Sequence, residues 1–482
     1  MKISDIIYKE EYILSEINDD TKILGICTKE IDVKDGYILL IPNSKNYFHN
    51  DNAHLPIAVI CDKDAIVPNH IPKIYVDNAR IAISNAYMRF YRPDMSKTLL
   101  IGVTGTNGKT STATIIENIL SQSGKKVGFI GTGRISVSEQ TISPDFYSMT
   151  TPDPEVLYPS LRRMTDEKCD AIVMEVSSHA LAFEKVAPLF FDYALYTNLS
   201  SEHRDFHANM DDYFNTKAKL FQNCKSAFIN IDCPYGKRLA KICQAKKITT
   251  TGILWRGDIY VRKIESKGFD GSSYIYYNNE YSFKVNLALP GIFNIYNSLL
   301  AVAVCIDAGV APCFIKKYLS NISSIPGRFE IIKDKITVII DYAHTDEAFN
   351  NILKELSKNK KSSITVVFGC GGNRDREKRP KIATITEKYA DKLIVTSDNS
   401  RSEDPKNIFN DIISGLTKNK HIVIEDRATA IEYAILNAKD NDIVALIGKG
   451  HEKYNIDKNG YHPFDEKALV KEALKKRNIT CE

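Results

Sequence analysis

One short segment constrains the fold of this 482-residue chain more than any other. Residues 104–110 read Thr-Gly-Thr-Asn-Gly-Lys-Thr, and they lie between an apolar run at 98–103 and an amphipathic stretch at 111–121. An apolar run, a glycine turn and a helix in that order are typical of a βα unit in a parallel sheet. Glycines let the backbone approach phosphate oxygens, and the N-terminus of the helix adds a positive dipole. The segment therefore predicts a phosphate-binding loop.

The side chains of this loop indicate what it binds. Lys109 is placed to reach the terminal phosphates of a nucleotide, and the Thr110 hydroxyl is placed to bind Mg²⁺. The common pattern has a glycine at position 103, where this chain has Val103, so the loop is a shorter variant. An ordinary βα turn is the alternative, but motif and context agree on phosphate. The residues expected to hold the nucleotide here are Gly105, Thr106, Asn107, Gly108, Lys109, Thr110 and Ser111.

The rest of the chain repeats the alternation of apolar runs with helical segments. Domains of roughly 100–200 residues predict about three of them for this length. Further apolar runs lie at 127–131 and 169–176 and, beyond a break near residue 326, at 337–341, 364–369, 392–396 and 442–448. We expect an α/β protein with three domains. They are a small α/β domain at 1–95, a central P-loop domain with a mainly parallel sheet at 96–325, and a Rossmann-like domain at 326–482.

Composition excludes several classes of protein. The net charge of +4 does not require a nucleic-acid partner. No apolar run approaches the roughly 18 residues of a membrane helix, and the N-terminus lacks the apolar segment of a secretory signal. The ten cysteines form no C-x-x-C pair. We expect a monomeric cytoplasmic protein with reduced thiols and with neither a nucleic-acid nor a membrane partner.

The variant loop and the three-part organisation resemble the Mur ligase family, the ATP-dependent amide-forming enzymes of peptidoglycan synthesis. The resemblance covers essentially the whole chain. It implies a nucleotide-sugar domain, an ATPase domain and a Rossmann-like domain, in that order. It also implies that ATP and Mg²⁺ activate a carboxylate as an acyl phosphate, because a carboxylate oxygen is a poor leaving group.

The resemblance assigns a magnesium site. Glu175 and His203 match the family residues that hold Mg²⁺, together with Thr110. Lys217, fourteen residues after the histidine, matches a lysine that carries a carbamate; CO₂ addition replaces a positive charge with a negative one, which can bind Mg²⁺. Taken alone, Lys217 reads as a solvated helix lysine, with Lys219 as a neighbouring competitor. The residues expected to be catalytic are Lys109, Lys217 and His203.

Three more positions resemble family contacts with ATP. Asn294, with Asn297 as a further candidate, matches asparagines near the adenine. Arg328 matches a hinge arginine near the phosphates, and Asp341 matches an acceptor for the ribose hydroxyls. Each of these residues, taken alone, also reads as part of a cap or a strand-end turn.

The C-terminal motifs resemble the family members that add a diamino acid, as third residue, to UDP-N-acetylmuramoyl-L-alanyl-D-glutamate. Members that use meso-diaminopimelate carry Asp-Asn-Pro-Arg, whose arginine binds the distal carboxylate; here Ser400 replaces the proline. A guanidinium binds a carboxylate bidentately. We therefore expect Arg401 and Arg379 to hold the distal carboxylate. The residues expected at the distal ammonium and its surroundings are Asp398, Asn399, Gly448 and Glu452.

The sugar and dipeptide contacts follow from weaker matches. Thr28 lies where the family has a serine that contacts the UDP-sugar. Thr150, Thr151 and Ser177 resemble contacts with the muramoyl dipeptide. Lys185 stands where an arginine is usual, which preserves the charge but not the two-pronged geometry.

Three alternatives remain open at this point. The same reaction with L-lysine or another diamino acid is one, and folate polyglutamylation by a related ligase is another. The third is a P-loop regulatory protein that binds or hydrolyses ATP without forming an amide. The sequence favours the diaminopimelate ligase.

Overall fold

The structure, a computed structural model, describes residues 1–42, 54–138, 140–143, 149–202, 206–322, 324–418 and 421–480. Within these residues the strands form three successive sheets and one two-stranded hairpin. Helices separate most of the parallel strands, as the alternating apolar runs predict. The expected α/β class is confirmed.

The first sheet is small and mostly parallel. Its strand order is β1-β5-β4-β3-β2, and only β1 runs antiparallel to its neighbour. The central strands are buried because their side chains are almost all aliphatic. The elements are β1 Tyr12–Ser15, β2 Gly25–Cys27, β3 Tyr37–Leu40, β4 Ala58–Cys61, β5 Lys73–Val76 and α1 Ala79–Tyr91.

The second sheet has eleven strands and carries the predicted loop on its central strand β6. Its order is β16-β15-β14-β13-β12-β11-β6-β10-β7-β8-β9, parallel from β14 to β7 and antiparallel at both ends. The strands are β6 Leu99–Thr104, β7 Val127–Gly131, β8 Arg134–Val137, β9 Gln140–Thr141, β10 Ala171–Glu175, β11 Phe191–Tyr196, β12 Cys224–Asn230, β13 Lys247–Gly252, β14 Ile259–Ser266, β15 Ser272–Tyr277 and β16 Ser282–Leu287. The helices are α2 Lys109–Gln122, α3 Pro154–Asp166, α4 Ser178–Ala182, α5 Met210–Ala218, α6 Pro234–Ile242, α7 Ile292–Asp307 and α8 Pro312–Asn321.

The third sheet has the order β17-β18-β22-β19-β20-β21, in which only β17 is antiparallel. The hairpin β23-β24 follows β22 along the chain. The strands are β17 Glu330–Lys333, β18 Thr337–Asp341, β19 Ile364–Phe368, β20 Lys392–Val395, β21 His421–Val423, β22 Ile443–Ile447, β23 Tyr454–Asp457 and β24 Gly460–Pro463. The helices are α9 Asp346–Lys358, α10 Lys378–Tyr389, α11 Pro405–Ile413, α12 Arg427–Leu436 and α13 Glu466–Thr480.

Strand register brings distant parts of the sequence to two sheet edges. In the second sheet Glu175 pairs with Val103, so the end of β10 lies beside the start of the glycine loop. In the third sheet Asp341 pairs with Ile447, so the ends of β18 and β22 lie side by side. Carboxyl ends of parallel strands are where such sheets bind ligands. Among the described residues, no helix has the length and apolar character that crossing a membrane requires.

Candidate functional site

A cavity of about 980 Å³ is lined by the carboxyl edges of both the second and the third sheet. Most of the residues that the sequence singled out line it. They are Thr106, Asn107, Gly108, Lys109, Thr110, Ser111, Thr150, Thr151, Glu175, Ser177, Lys185, Lys217, Asn294, Asn297, Arg328, Asp341, Asp398, Asn399, Arg401, Gly448 and Glu452.

The glycine loop is held in shape by the segment that follows β11. The Asn107 carbonyl accepts hydrogen bonds from Thr197 Oγ1 at 2.6 Å and from Asn198 Nδ2 at 3.0 Å, and its amide donates to Asn198 Oδ1 at 3.0 Å. Gly108 has φ +85° and precedes α2, where a Cβ would lie 2.4 Å from Asn297 Oδ1. A glycine is therefore needed for both the backbone angle and the close approach.

Two lysines converge on this loop. Lys109 Nζ donates to the carbonyls of Gly105 at 2.9 Å and Thr106 at 2.8 Å, and Lys217 Nζ donates to the same Gly105 carbonyl at 3.0 Å. Lys217 is only 1% exposed. Burial, together with the positive charge of Lys109, lowers its pKa well below the ordinary value for lysine. The solvated lysine that sequence statistics favour is therefore not what the structure shows.

An oxygen-rich cluster lies beside the loop. The fully buried Glu175 carboxylate accepts from Thr110 Oγ1 at 2.9 Å and from the backbone amide of Thr132 at 2.8 Å. Arg328 Nη2 donates to the same Thr110 hydroxyl at 2.9 Å, and its guanidinium stacks on the Tyr342 ring, 4.4 Å from the centroid. The hinge arginine thus joins the third sheet to the loop of the second.

The predicted dipeptide contacts cluster near the end of β10. Thr151 Oγ1 donates to the Glu175 carbonyl at 2.8 Å and accepts from the Ser177 amide at 2.9 Å. Thr150 Oγ1 lies 3.0 Å from Thr132 Oγ1. Lys185 Nζ forms an ion pair with Asp153 at 2.6 Å. The residues are brought together, with Lys185 as the cation beside them.

The predicted adenine and ribose residues are buried and held by backbone groups. Asn294 Nδ2 donates to the Pro290 carbonyl at 2.8 Å, and Asn294 Oδ1 accepts from Asn297 Nδ2 at 3.4 Å. The Asp341 carboxylate accepts from the amides of Phe329 and Ala343, both at 2.6 Å. Burial raises the pKa of Asp341 despite these bonds.

A polar network fills the opposite end of the cavity, at the edge of the third sheet. Asn399 Nδ2 donates to Glu452 Oε2 at 2.8 Å, and Lys449 Nζ donates to Asn399 Oδ1 at 2.6 Å. Burial raises the pKa of Glu452. Burial alone would also raise the pKa of Asp398, but the charges of Lys449 and Arg427 hold it below its ordinary value.

Arg401, whose own backbone is left-handed with φ +54°, points its side chain at this network. Its Nη1 donates to the carbonyls of Gly372 at 3.0 Å and Asn399 at 3.2 Å. A Cβ on Gly371 would lie 3.0 Å from that nitrogen. These two hydrogen bonds hold the guanidinium at the cavity, with Ser400 directly before Arg401.

The geometry does not support the predicted contact between Arg379 and substrate. Its side chain is 0% exposed and belongs to a buried network instead. Nη1 and Nη2 each donate to Glu403 at 2.7 Å, and Nη1 also donates to Asp411 at 2.8 Å. Nη2 further donates to the Gly371 carbonyl at 3.2 Å. Because both nitrogens are already bonded, Arg379 supports the glycine turn rather than the cavity.

Thr28 also lies apart from the main cavity. It borders a second cavity of about 260 Å³ beside the first sheet, lined by Tyr37, Tyr91 and Glu155 among others. Its hydroxyl bonds to the Glu155 carboxylate. Gly105, although predicted to bind the nucleotide, is not among the residues that line the main cavity; its carbonyl accepts hydrogen bonds from Lys109 and Lys217. His203 lies outside the described residues.

The structure adds cations that the sequence reading left without a role. Arg374, Lys378 and Lys381 line the same cavity as Arg401. Arg374 lies in the glycine-rich run 369–375 that follows β19, and no role was predicted for it from the sequence. The sequence signal that could have predicted them is a group of basic residues directly after a glycine-rich strand end.

A glycine loop whose helix N-terminus, lysines and hinge arginine face one cavity is a phosphate-binding site of the P-loop type, in a multi-sheet α/β enzyme. Comparisons with known proteins agree. A model of the Mur ligase middle domain matches residues 103–305, and a model described as "Mur ligase, glutamate ligase domain" matches residues 327–450.

Two curated relatives carry the name UDP-N-acetylmuramoyl-L-alanyl-D-glutamate–2,6-diaminopimelate ligase. The one from Aquifex aeolicus (strain VF5) is 38% identical over 464 residues, 94% of this chain and 94% of the relative. The one from Clostridioides difficile (strain 630) is 40% identical over 411 residues, 84% of each. A solved structure with that name is 27% identical, has a TM-score of 0.68 and covers 99% of both chains. This chain therefore belongs to the Mur ligase family, and it is a ligase.

Proposed function

We propose that this ligase joins meso-diaminopimelate to the D-glutamyl γ-carboxylate of UDP-N-acetylmuramoyl-L-alanyl-D-glutamate, with ATP cleaved to ADP and phosphate. The observation that carries the proposal is one cavity with a phosphate-binding loop at one end and a charged amino-acid site, Asp398 to Arg401 and Glu452, at the other. The relatives named above support the choice of substrates. The reaction places the enzyme in peptidoglycan precursor synthesis, in the cytoplasm.

We assign the three sheets to three domains with the predicted bounds, 1–95, 96–325 and 326–482. Each range contains one of the three sheets, and the last also contains the hairpin β23-β24. The first would bind the uridine nucleotide near Thr28, the second would bind ATP and the dipeptide, and the third would bind the diamino acid. The second cavity beside the first sheet supports the first of these assignments.

The residues near Glu175 fit a magnesium ion. Mg²⁺ prefers oxygen ligands, and the buried Glu175 carboxylate lies 2.9 Å from the Thr110 hydroxyl. A carbamate on Lys217 would add two oxygens, and His203 completes the set that the resemblance implies. When bound, the ion supplies positive charge to the oxygens of the transferring phosphoryl group.

Lys217 is suited to carbamate formation by its surroundings. A neutral amine attacks CO₂, forming an N–C bond and releasing a proton, whereas an ammonium cannot. Burial and the neighbouring Lys109 both favour the neutral amine. Its position at the Gly105 carbonyl puts the modified side chain beside the phosphate loop.

The chain's own residues would then carry the reaction as follows. Lys109, the loop amides and Arg328 hold the ATP phosphates in line with the D-glutamyl carboxylate, held near Thr151, Ser177 and Lys185. A γ-carboxylate oxygen takes the terminal phosphoryl group and ADP leaves. The amine of diaminopimelate attacks the acyl carbon, and phosphate leaves from the tetrahedral intermediate. Closure of the third sheet's edge on the second would keep water from the acyl phosphate.

The test is product analysis. Purified protein receives ATP, UDP-N-acetylmuramoyl-L-alanyl-D-glutamate and, in separate reactions, meso-diaminopimelate, L-lysine or L-ornithine. We expect a lengthened sugar-peptide with diaminopimelate, detected by mass spectrometry, with one ADP and one phosphate per product. Faster ligation of lysine would contradict the diaminopimelate assignment, and ADP release without a lengthened product would contradict the ligase.

A further inference from the structure

Lys449 is a buried cation that neither the phosphate chemistry nor the predicted substrate contacts use. It lies between Gly448, with φ +121°, and Gly450, with φ +59°, directly after β22. Its side chain is 0% exposed. A fully buried lysine is rare unless it is paired, so its partners indicate what it does.

Those partners are the three groups expected to receive the diamino acid. Lys449 Nζ donates to Asn399 Oδ1 at 2.6 Å and to Glu452 Oε2 at 3.3 Å, and it lies 3.8 Å from Asp398 Oδ1. All three residues line the cavity. The fully buried ammonium therefore contacts three groups that also line the cavity.

The side chain of Asn399 shows how this fixes an orientation. Its Oδ1 accepts from Lys449 and from the backbone amide of Ile456 at 3.0 Å, so the amide nitrogen must point the other way. That nitrogen donates to Glu452 Oε2 at 2.8 Å. One cation thereby sets both an amide and a carboxylate.

The charges around Lys449 also indicate a role in holding the substrate. Asp398 and Glu452 are two largely buried carboxylates, with side chains 10% and 13% exposed, that would repel each other without a cation between them. With Lys449 the three groups carry one net negative charge, which matches one substrate ammonium. The charge of Lys449 also opposes the burial that raises the pKa of Glu452.

We propose that Lys449 is a positioning residue for the diamino acid: it orients the Asn399 amide, whose nitrogen holds Glu452, and so sets the Glu452 carboxylate as an acceptor for the distal ammonium without touching that ammonium. The proposal rests on the proposed function. It assigns to the Gly-Lys-Gly turn a substrate-specific task that is separate from the ATP site.

The test is a double-variant cycle on the full-length enzyme with Lys449→Met, Glu452→Gln and both together, measuring kcat and KM for each substrate. We expect Lys449→Met to raise the KM for diaminopimelate at least about 30-fold, the loss typical of breaking a buried charge pair. The KM values for ATP and the UDP-dipeptide should stay within about twofold, because the change lies outside their sites. Lys453→Met, an exposed lysine of the same segment, is the matched control and should resemble the wild type.

The cycle separates positioning from stability. Glu452→Gln should lower kcat/KM for diaminopimelate at least about tenfold in the native background but less than about threefold beside Lys449→Met, because residues that act as a unit are not additive. Equal losses in both backgrounds, or equal KM changes for all three substrates, would overturn the proposal. Lys449→Gln keeps a donor without the charge and carries the same expectation if the methionine variant folds poorly. Failure of the wild type to ligate diaminopimelate would instead refute the proposed function.

Discussion

Arg401→Ala tests the amino-acid end of the cavity most sharply. The guanidinium uses one nitrogen on the carbonyls of Gly372 and Asn399, which leaves Nη2 and Nε for a substrate carboxylate. Removing one partner of a buried, hydrogen-bonded charge pair costs about 2–5 kcal/mol. Arg401 is only half-buried, and solvent screening favours the lower part of that range, about 2–3 kcal/mol.

At 1.4 kcal/mol per factor of ten, that loss corresponds to a KM for diaminopimelate about 30- to 150-fold higher. L-Lysine lacks the distal carboxylate, so its KM should change less than about threefold. The assay is initial-rate kinetics with both amino acids, product being quantified by mass spectrometry. Arg376→Ala, which removes an exposed arginine paired with Asp411, is the control.

An unchanged KM for diaminopimelate in Arg401→Ala would refute this reasoning and would assign the carboxylate to another lining cation, such as Arg374. Equal increases for both amino acids would show that the substitution disturbs the loop and removes no specific contact. The comparison of two amino acids on one variant separates these outcomes.

Three more substitutions test other parts of the account. Lys217→Ala should abolish ligation with an unchanged circular dichroism spectrum. Lys219→Ala, which removes a half-exposed partner of Glu184, is the control and should stay active. Normal turnover in Lys217→Ala would remove Lys217 from the mechanism. Gly108→Ala should weaken ATP binding at least about tenfold, as measured by isothermal titration calorimetry. The left-handed backbone angle costs alanine about 1–2 kcal/mol, and the new Cβ would lie 2.4 Å from Asn297 Oδ1. Wild-type affinity for ATP would contradict the loop geometry. Arg379→Met should destabilise the C-terminal domain by about 3 kcal/mol, the lower end of the range for breaking a buried charge pair, because Glu403 loses its guanidinium partner while Asp411 keeps Arg376. An unchanged unfolding temperature in scanning calorimetry, with a raised KM for diaminopimelate, would restore the direct contact that the burial of Arg379 argues against.

Much of the fold could be predicted because its signals are local. The strand before the loop and the amphipathic helix after it follow from short apolar patterns. The structure shifts the strand by one residue, to Leu99–Thr104, and extends the helix at both ends, to Lys109–Gln122. The antiparallel strands β14 to β16 were not predicted. Their pairing, such as Tyr276 with Phe283, depends on partners that a pattern in one strand cannot specify.

The candidate site likewise has a part that could be predicted from the sequence and a part that could not. The loop residues and Glu175 converge because parallel strands end at one edge, which a sequence reading can anticipate. The burial of Arg379 in an ion-pair network could not be predicted, because its partners Glu403 and Asp411 lie 24 and 32 residues further along the chain. The buried position of Lys449 depends likewise on Asn399, 50 residues earlier.

The central claim is that ATP activates the D-glutamyl carboxylate by phosphoryl transfer at the glycine loop. Its most direct test uses UDP-N-acetylmuramoyl-L-alanyl-D-glutamate with ¹⁸O in the γ-carboxylate, together with ATP and diaminopimelate, followed by mass spectrometry of the released phosphate. An acyl phosphate predicts one ¹⁸O atom in each phosphate formed. Unlabelled phosphate alongside a normal yield of lengthened product would contradict the account.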